Sequence, residues 1–151
     1  MLTFQTEKWS EIVSEMQTMF EAHYKELALD QDRIALAPNT EMYEEADRRG
    51  LMHLATVRED GKLVGYFVSA VLPHLHYKNA GPMSQTDAYF VLPEYRKGGC
   101  GAKFLMFVEE SLRNRGVTKM YVSTKLHSDH SVLFEKLGFR ATDTVFTKML
   151  R

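Results

Sequence analysis

The segment Arg96-Lys97-Gly98-Gly99-Cys100-Gly101-Ala102-Lys103 has the residue types and spacing to hold a phosphate. A β-like run, Ala88 to Leu92, enters it, and an amphipathic helical run, Ala102 to Asn114, leaves it. A glycine-rich turn at a helix N-terminus presents free backbone N–H groups and the positive end of the helix dipole, and both favour an anion. Glycine at 99 and 101 lets the backbone approach closely and take φ values that other residues avoid. The side chains of Arg96, Lys97 and Lys103 add positive potential. A phosphorylated ligand is therefore expected at residues 96–102.

The elements that must position this turn follow from periodicity. Residues 3–6 read as a short strand, and Thr6 as an N-cap. Trp9, Ile12, Val13, Met16, Phe20, Tyr24 and Leu27 form one apolar stripe, which predicts a helix from Glu7 to Leu27. Asn39 or Thr40 caps an acidic helix, Glu41 to Arg49, stopped by Gly50. Met52 to Arg58 and Leu63 to Val71 read as a hairpin closed by Asp60-Gly61. Residues 73–84 read as an irregular connection. After the Gly-rich turn and its helix come a strand at Lys119 to Ser123, a short helix capped by Ser128 or Asp129, and a final strand over Arg140 to Leu150. The expected order is βααβββαβαβ, a mixed α/β (α+β) sheet with helices on both faces.

Composition bounds the rest. The 151 residues suit one domain, 1–151, able to bury a core without staples. A net charge of −1 gives no general attraction to nucleic acid or to an anionic membrane. No apolar run approaches the roughly 20 residues that span a bilayer. The N-terminus has no secretory pattern, and the single cysteine, Cys100, suits a reducing compartment, so a cytoplasmic location is expected. His74 and His76 lack a third partner, so no metal is expected. The oligomeric state is not fixed, and a homodimer is left open.

Two familiar phosphate motifs fail. A P-loop requires Gly-Lys-Ser/Thr, whereas Lys103 follows Gly101 by two residues with no hydroxyl after it. A dinucleotide fingerprint requires a third glycine where Phe104 stands. Arg96-x-x-Gly99-x-Gly101, led by Val91-x-Pro93-x-Tyr95, instead resembles the acyl-CoA motif of the GCN5-related N-acetyltransferase superfamily. Phe134-Glu135-Lys136-Leu137-Gly138-Phe139 resembles that family's second motif, in the right order downstream.

The resemblance implies a single-domain acyl-CoA N-acyltransferase fold with splayed central strands. It implies direct transfer of an acetyl group from acetyl-CoA to a primary amine of a small molecule or protein, with CoA as product. Phe90, Val91 and Leu92 would hold the pantetheine arm, and N–H groups of Arg96, Lys97, Gly98, Gly99, Cys100, Gly101 and Ala102 the pyrophosphate. An N–H near Val91 would face the oxyanion. Phe134 stands where the family often has a tyrosine acid, and it carries no proton. His127 and His130 are further departures; His127 either bonds the pantetheine or protonates the thiolate, or it caps the helix or faces solvent. Water, Tyr121 or the incoming ammonium proton is the other proton source.

For the base, Asp87 lies four residues before Val91, hence on the same strand face. His74 and His76 sit in the connection where the family builds substrate loops. His23 and Tyr24 are either a semi-core pair or substrate lining. Glu41, Glu44, Glu45 and Asp47 are either a solvated face or a patch attracting a cationic amine. Because Phe134 cannot act as an acid, an acyl-CoA-binding sensor without turnover is the alternative.

Overall fold

The computed structural model describes residues 1–151. Strand β1 (Leu2–Thr6) is followed by α1 (Trp9–Leu27) and α2 (Thr40–Arg48), then β2 (Met52–Glu59), β3 (Lys62–Pro73) and β4 (Pro82–Val91). Helix α3 (Cys100–Asn114), β5 (Lys119–Tyr121) and α4 (Ser131–Lys136) complete the chain. The sheet order is β1-β2-β3-β4-β5. All pairs are antiparallel except β4–β5, which is parallel and confined to Met83–Gln85 against Lys119–Tyr121. Beyond Gln85 the two strands part, and the edge of β4 lies open.

The sheet separates two apolar layers. On one face, Trp9, Ile12, Met16, Met19 and Phe20 of α1 cover Met52, Leu54, Tyr66, Val68 and Phe90. On the other, Phe104, Leu105, Val108 and Leu112 of α3, with Phe134 of α4, cover Ala55, Val57, Phe67 and Val91. Helices on both faces are thus what the alternating strands dictate. Asp60 and Gly61 both take positive φ, 47° and 86°, as a two-residue hairpin turn requires.

Several boundaries differ from expectation. Strand β5 stops at Tyr121, and α4 starts at Ser131 with His130, and neither Ser128 nor Asp129, at its N-cap position. Thr6 belongs to β1 and does not cap α1. The N–H of Trp9 is instead taken by Asp47 of α2 at 2.8 Å, and that of Lys8 by Glu11 at 3.0 Å. A carboxylate from another element can cap as well as a local hydroxyl, and sequence spacing is blind to it. Strand β4 starts at Pro82, because Pro73 and Pro82 pair across β3 and β4. Helix α3 begins at Cys100, two residues early. Residues 140–150 form no strand, and Val145, Phe146 and Leu150 are exposed. Their alternation matched a strand, but no sheet edge pairs with them.

A buried polar residue in this frame sets a pH dependence. His53 on β2 is 3% exposed, with Nε2 2.8 Å from Ser111 Oγ on α3. Burial, with Arg115 nearby, pushes its pKa down from 6.5 to about 4. Below about 6.5 the unfolded chain binds a proton that the folded chain refuses. His53 therefore supports the fold fully above that pH and withdraws about 3 kcal/mol as pH falls toward 4. Urea melts at pH 7 and pH 4 should show that decline, and His53→Leu should flatten it.

Candidate active site

The Gly-rich turn is an anion cradle. Gly98 and Gly99 take φ of 65° and 76°, values that strain any residue with a Cβ. Two of the expected N–H groups are already used: Arg96 donates to Pro93 O at 3.2 Å and Cys100 to Lys97 O at 3.3 Å. The N–H groups of Lys97, Gly98, Gly99, Gly101 and Ala102 make no backbone hydrogen bond. They gather at the start of α3, where the helix dipole adds to their pull. Gly101 lines the cleft, and a Cβ on it would press against the Tyr89 hydroxyl at 3.3 Å.

Arg96 has a different task from the one expected. Its Nε donates to Val91 O at 2.7 Å, and its two terminal nitrogens grip Glu26 of α1 at 2.9 and 2.6 Å. The guanidinium also lies 5.3 Å over the Phe90 ring. It therefore ties the cradle to β4 and α1, and the hydrogen bond from Arg96 holds the Glu26 carboxyl below its usual range.

The open edge of β4 continues from this cradle. Leu92 donates its N–H to Val64 O at 2.9 Å, so its donor belongs to β3 and is not free for pantetheine. Antiparallel ladders alternate, so the N–H groups of Tyr89 and Val91 point the other way, into the gap. A cavity of about 150 Å³ fills this gap, lined by Leu27, Tyr89, Phe90, Val91, Arg96, Gly101, His130 and Leu133. A larger hollow of about 340 Å³ lies elsewhere, among Thr6, Asp47, His53 and Arg115. Its charged groups are committed to the fold: Asp47 caps α1, and Arg115 donates to the carbonyls of Met52 and Gly50. The smaller cleft is the one that joins an anion cradle to an unpaired strand.

Asp87 is the extra residue of a β-bulge. Val68 pairs with Ala88 and Ser69 with Thr86, leaving Asp87 unpaired. The bulge breaks the alternation, so Asp87 and Val91 do not share a face as expected. Asp87 turns to the α1–α2 side, where Tyr43 of α2 donates its hydroxyl to Oδ2. Burial and the Asp87 carboxylate both push the Tyr43 pKa up, so Tyr43 remains a donor. Its ring is stacked 4.5 Å from Trp9, which fixes the hydroxyl in place.

The other sequence candidates scatter. His74 and His76 follow β3 at the end where Pro73 pairs with Pro82. Val91 lies at the opposite end of the ten-residue β4, about 30 Å away. Tyr121 pairs with Gln85, and its hydroxyl meets Met83 Sδ at 3.8 Å, at the closed end of the cleft. His127 is exposed and lines no part of the cavity; His130, just before α4, does. Phe134 is 7% exposed in the α3-side core, 5.7 Å from Phe139, and Leu133 takes the lining place. The Cys100 side chain is buried, which raises its pKa and keeps it a thiol. Lys97 and Lys103 are exposed beside the cradle. In the acidic helix, Glu45 pairs with Arg48 and Arg49 of its own turn.

A mixed sheet split beside a helix-capped anion cradle defines the acetyltransferase class. Residues 9–139 match the model of the acetyltransferase (GNAT) family, and the chain belongs to that family. No curated protein sequence matches it. A GCN5-related N-acetyltransferase from Ralstonia eutropha has a similar structure, with TM-score 0.79, 15% identity and 99% of each chain covered. An aminoglycoside acetyltransferase from an uncultured soil metagenomic sample superposes with TM-score 0.75 at 15% identity, covering 99% of this chain and 97% of that one. A predicted acetyltransferase from Clostridium acetobutylicum, solved with acetyl-CoA, gives TM-score 0.71 at 15% identity over 99% and 97%. At such identities these structures establish the fold.

Proposed function

We propose that this protein transfers the acetyl group of acetyl-CoA directly to a primary amine of a small molecule or a protein. The observation that carries the reading is the continuity of five free N–H donors, at Lys97, Gly98, Gly99, Gly101 and Ala102, with the unpaired edge of β4. The cradle fits a pyrophosphate, and the edge fits an extended amide-bearing arm bonded like an added strand. Bound acetyl-CoA supplies an activated thioester.

The chain's own groups do the rest. The Val91 N–H faces charge developing on the acetyl oxygen. Asp87, anchored through Oδ2 by Tyr43 and free at Oδ1, takes the amine proton through water. His130, which lines the cleft where His127 does not, takes the role toward the departing thiolate that was expected of His127. A free buried thiol at Cys100 fits a reducing, cytoplasmic setting.

The test is a panel of polyamines, aminoglycosides, amino acids and lysine peptides, read by release of free thiol from acetyl-CoA. Turnover of at least one amine well above hydrolysis is expected. Phe134 is core packing without a proton, which favours a sensor as the second reading. Tight acetyl-CoA binding with no acceptor in the whole panel would establish the sensor instead.

A further inference from the structure

On the α1 side of the cleft, a histidine is held in one tautomer by a buried hydroxyl. His23 Nδ1 lies 2.6 Å from the hydroxyl of Tyr66, which is 0% exposed and has no other hydrogen-bond partner. A buried O–H must donate, and Nδ1 is the acceptor present, so the ring proton of neutral His23 sits on Nε2. Burial lowers the pKa of His23 and raises that of Tyr66, so both stay neutral. The imidazole stacks on Phe90, centroids 4.9 Å apart and planes within 9°, and Phe90 lines the cleft. Nε2–H makes no hydrogen bond within the chain and is not sealed in the core.

This fixed donor cannot serve as the base, because its one lone pair is already used. We propose that His23 is a specificity-determining residue whose Nε2–H binds an uncharged oxygen of the acceptor amine. The charges around it select this chemistry. Glu26 of α1 and Asp87 of β4 face His23 with negative charge, and Arg96 and Lys125 face it with positive charge. Glu26 and Arg96 pair with each other, so neither sign dominates at the ring. A neutral donor among balanced charges fits an oxygen without charge. Amino alcohols and the α-amine of a peptide, with its carbonyl, both carry such an oxygen near the amine. Tyr66 is the positioning residue. The inference rests on the acetyltransferase reading above.

The test compares ethanolamine and glycinamide with propylamine as acceptors, at saturating acetyl-CoA, by kcat/KM. The variant is His23→Phe with Tyr66→Phe, which keeps the ring on Phe90 and leaves no orphan hydroxyl. The preference for an oxygen-bearing amine over propylamine should fall about tenfold from wild type to variant, a comparison that cancels the differing basicities of the amines. A fall confined to ethanolamine identifies an amino alcohol, and one confined to glycinamide a peptide N-terminus. Unchanged preference overturns the inference. So does an Nδ1–H tautomer in the imidazole nitrogen NMR shifts of the free protein. Acetyl-CoA binding without turnover of any of the three amines also overturns it and leaves the cofactor reading standing. Absence of acetyl-CoA binding overturns both.

Discussion

Gly101→Asp should weaken acetyl-CoA binding by at least two orders of magnitude. Residue 101 is in the first turn of α3 and has an unbonded N–H, and a Cβ there would point at the Tyr89 hydroxyl 3.3 Å away and at Leu133 3.5 Å away. Both neighbours line the cleft. The aspartate would place a negative charge within about 4 Å of the pyrophosphate, a repulsion of about 4 kcal/mol at the effective dielectric of a protein surface. The helix dipole that favours the ligand would be spent on the new carboxylate. Gly101→Ala is the control. Its methyl presses on the Tyr89 hydroxyl by only a few tenths of an ångström and brings no charge, so the fold and most of the affinity should survive. Calorimetry with acetyl-CoA reads both variants, and an unchanged dissociation constant for Gly101→Asp would remove the cradle from the site.

Much of this cradle was legible in the sequence because it is local. A strand, a turn with paired glycines and a helix are contiguous, and their order dictates where N–H groups gather. What escaped was the competition for those groups. Arg96 and Cys100 lose their donors to carbonyls within the same turn, and Leu92 loses its donor to β3, through bonds set by register. The sequence presents the Arg96 side chain as free charge because its partner, Glu26, is seventy positions away. His130 was noted only as a departure from a pattern. That it faces the cleft while His127 does not depends on how the segment after β5 enters α4.

The face of Asp87 shows the same limit more sharply. Period-two reasoning put Asp87 with Val91, and it holds for any regular strand. A single bulged residue reverses it, and nothing in Thr86-Asp87-Ala88 announces a bulge. The reversal changes the chemistry available. On the α3 face Asp87 would meet the apolar layer of Phe67 and Phe104; on the α1–α2 face it meets Tyr43 and the wall carrying His23.

That placement makes Asp87→Asn the second large effect. With acetyl-CoA and any amine that the panel identifies, kcat should fall by about 10²–10³, the usual contribution of a positioned base. Acetyl-CoA affinity should not move, because Asp87 lies outside the cleft lining and touches none of the cradle donors. Asparagine keeps the shape and still accepts from Tyr43 through its carbonyl oxygen, so the bulge and the fold should persist. Tyr43→Phe is the companion. It leaves the carboxylate but frees its rotamer, so kcat should fall by about tenfold, the weight of one hydrogen bond. If Asp87 and Tyr43 act as one unit, the double variant should be no slower than Asp87→Asn alone. Additive losses would mean that Tyr43 contacts the acceptor directly. Full activity in Asp87→Asn would move the proton to bulk water and leave the Val91 N–H as the chief catalytic group of the chain.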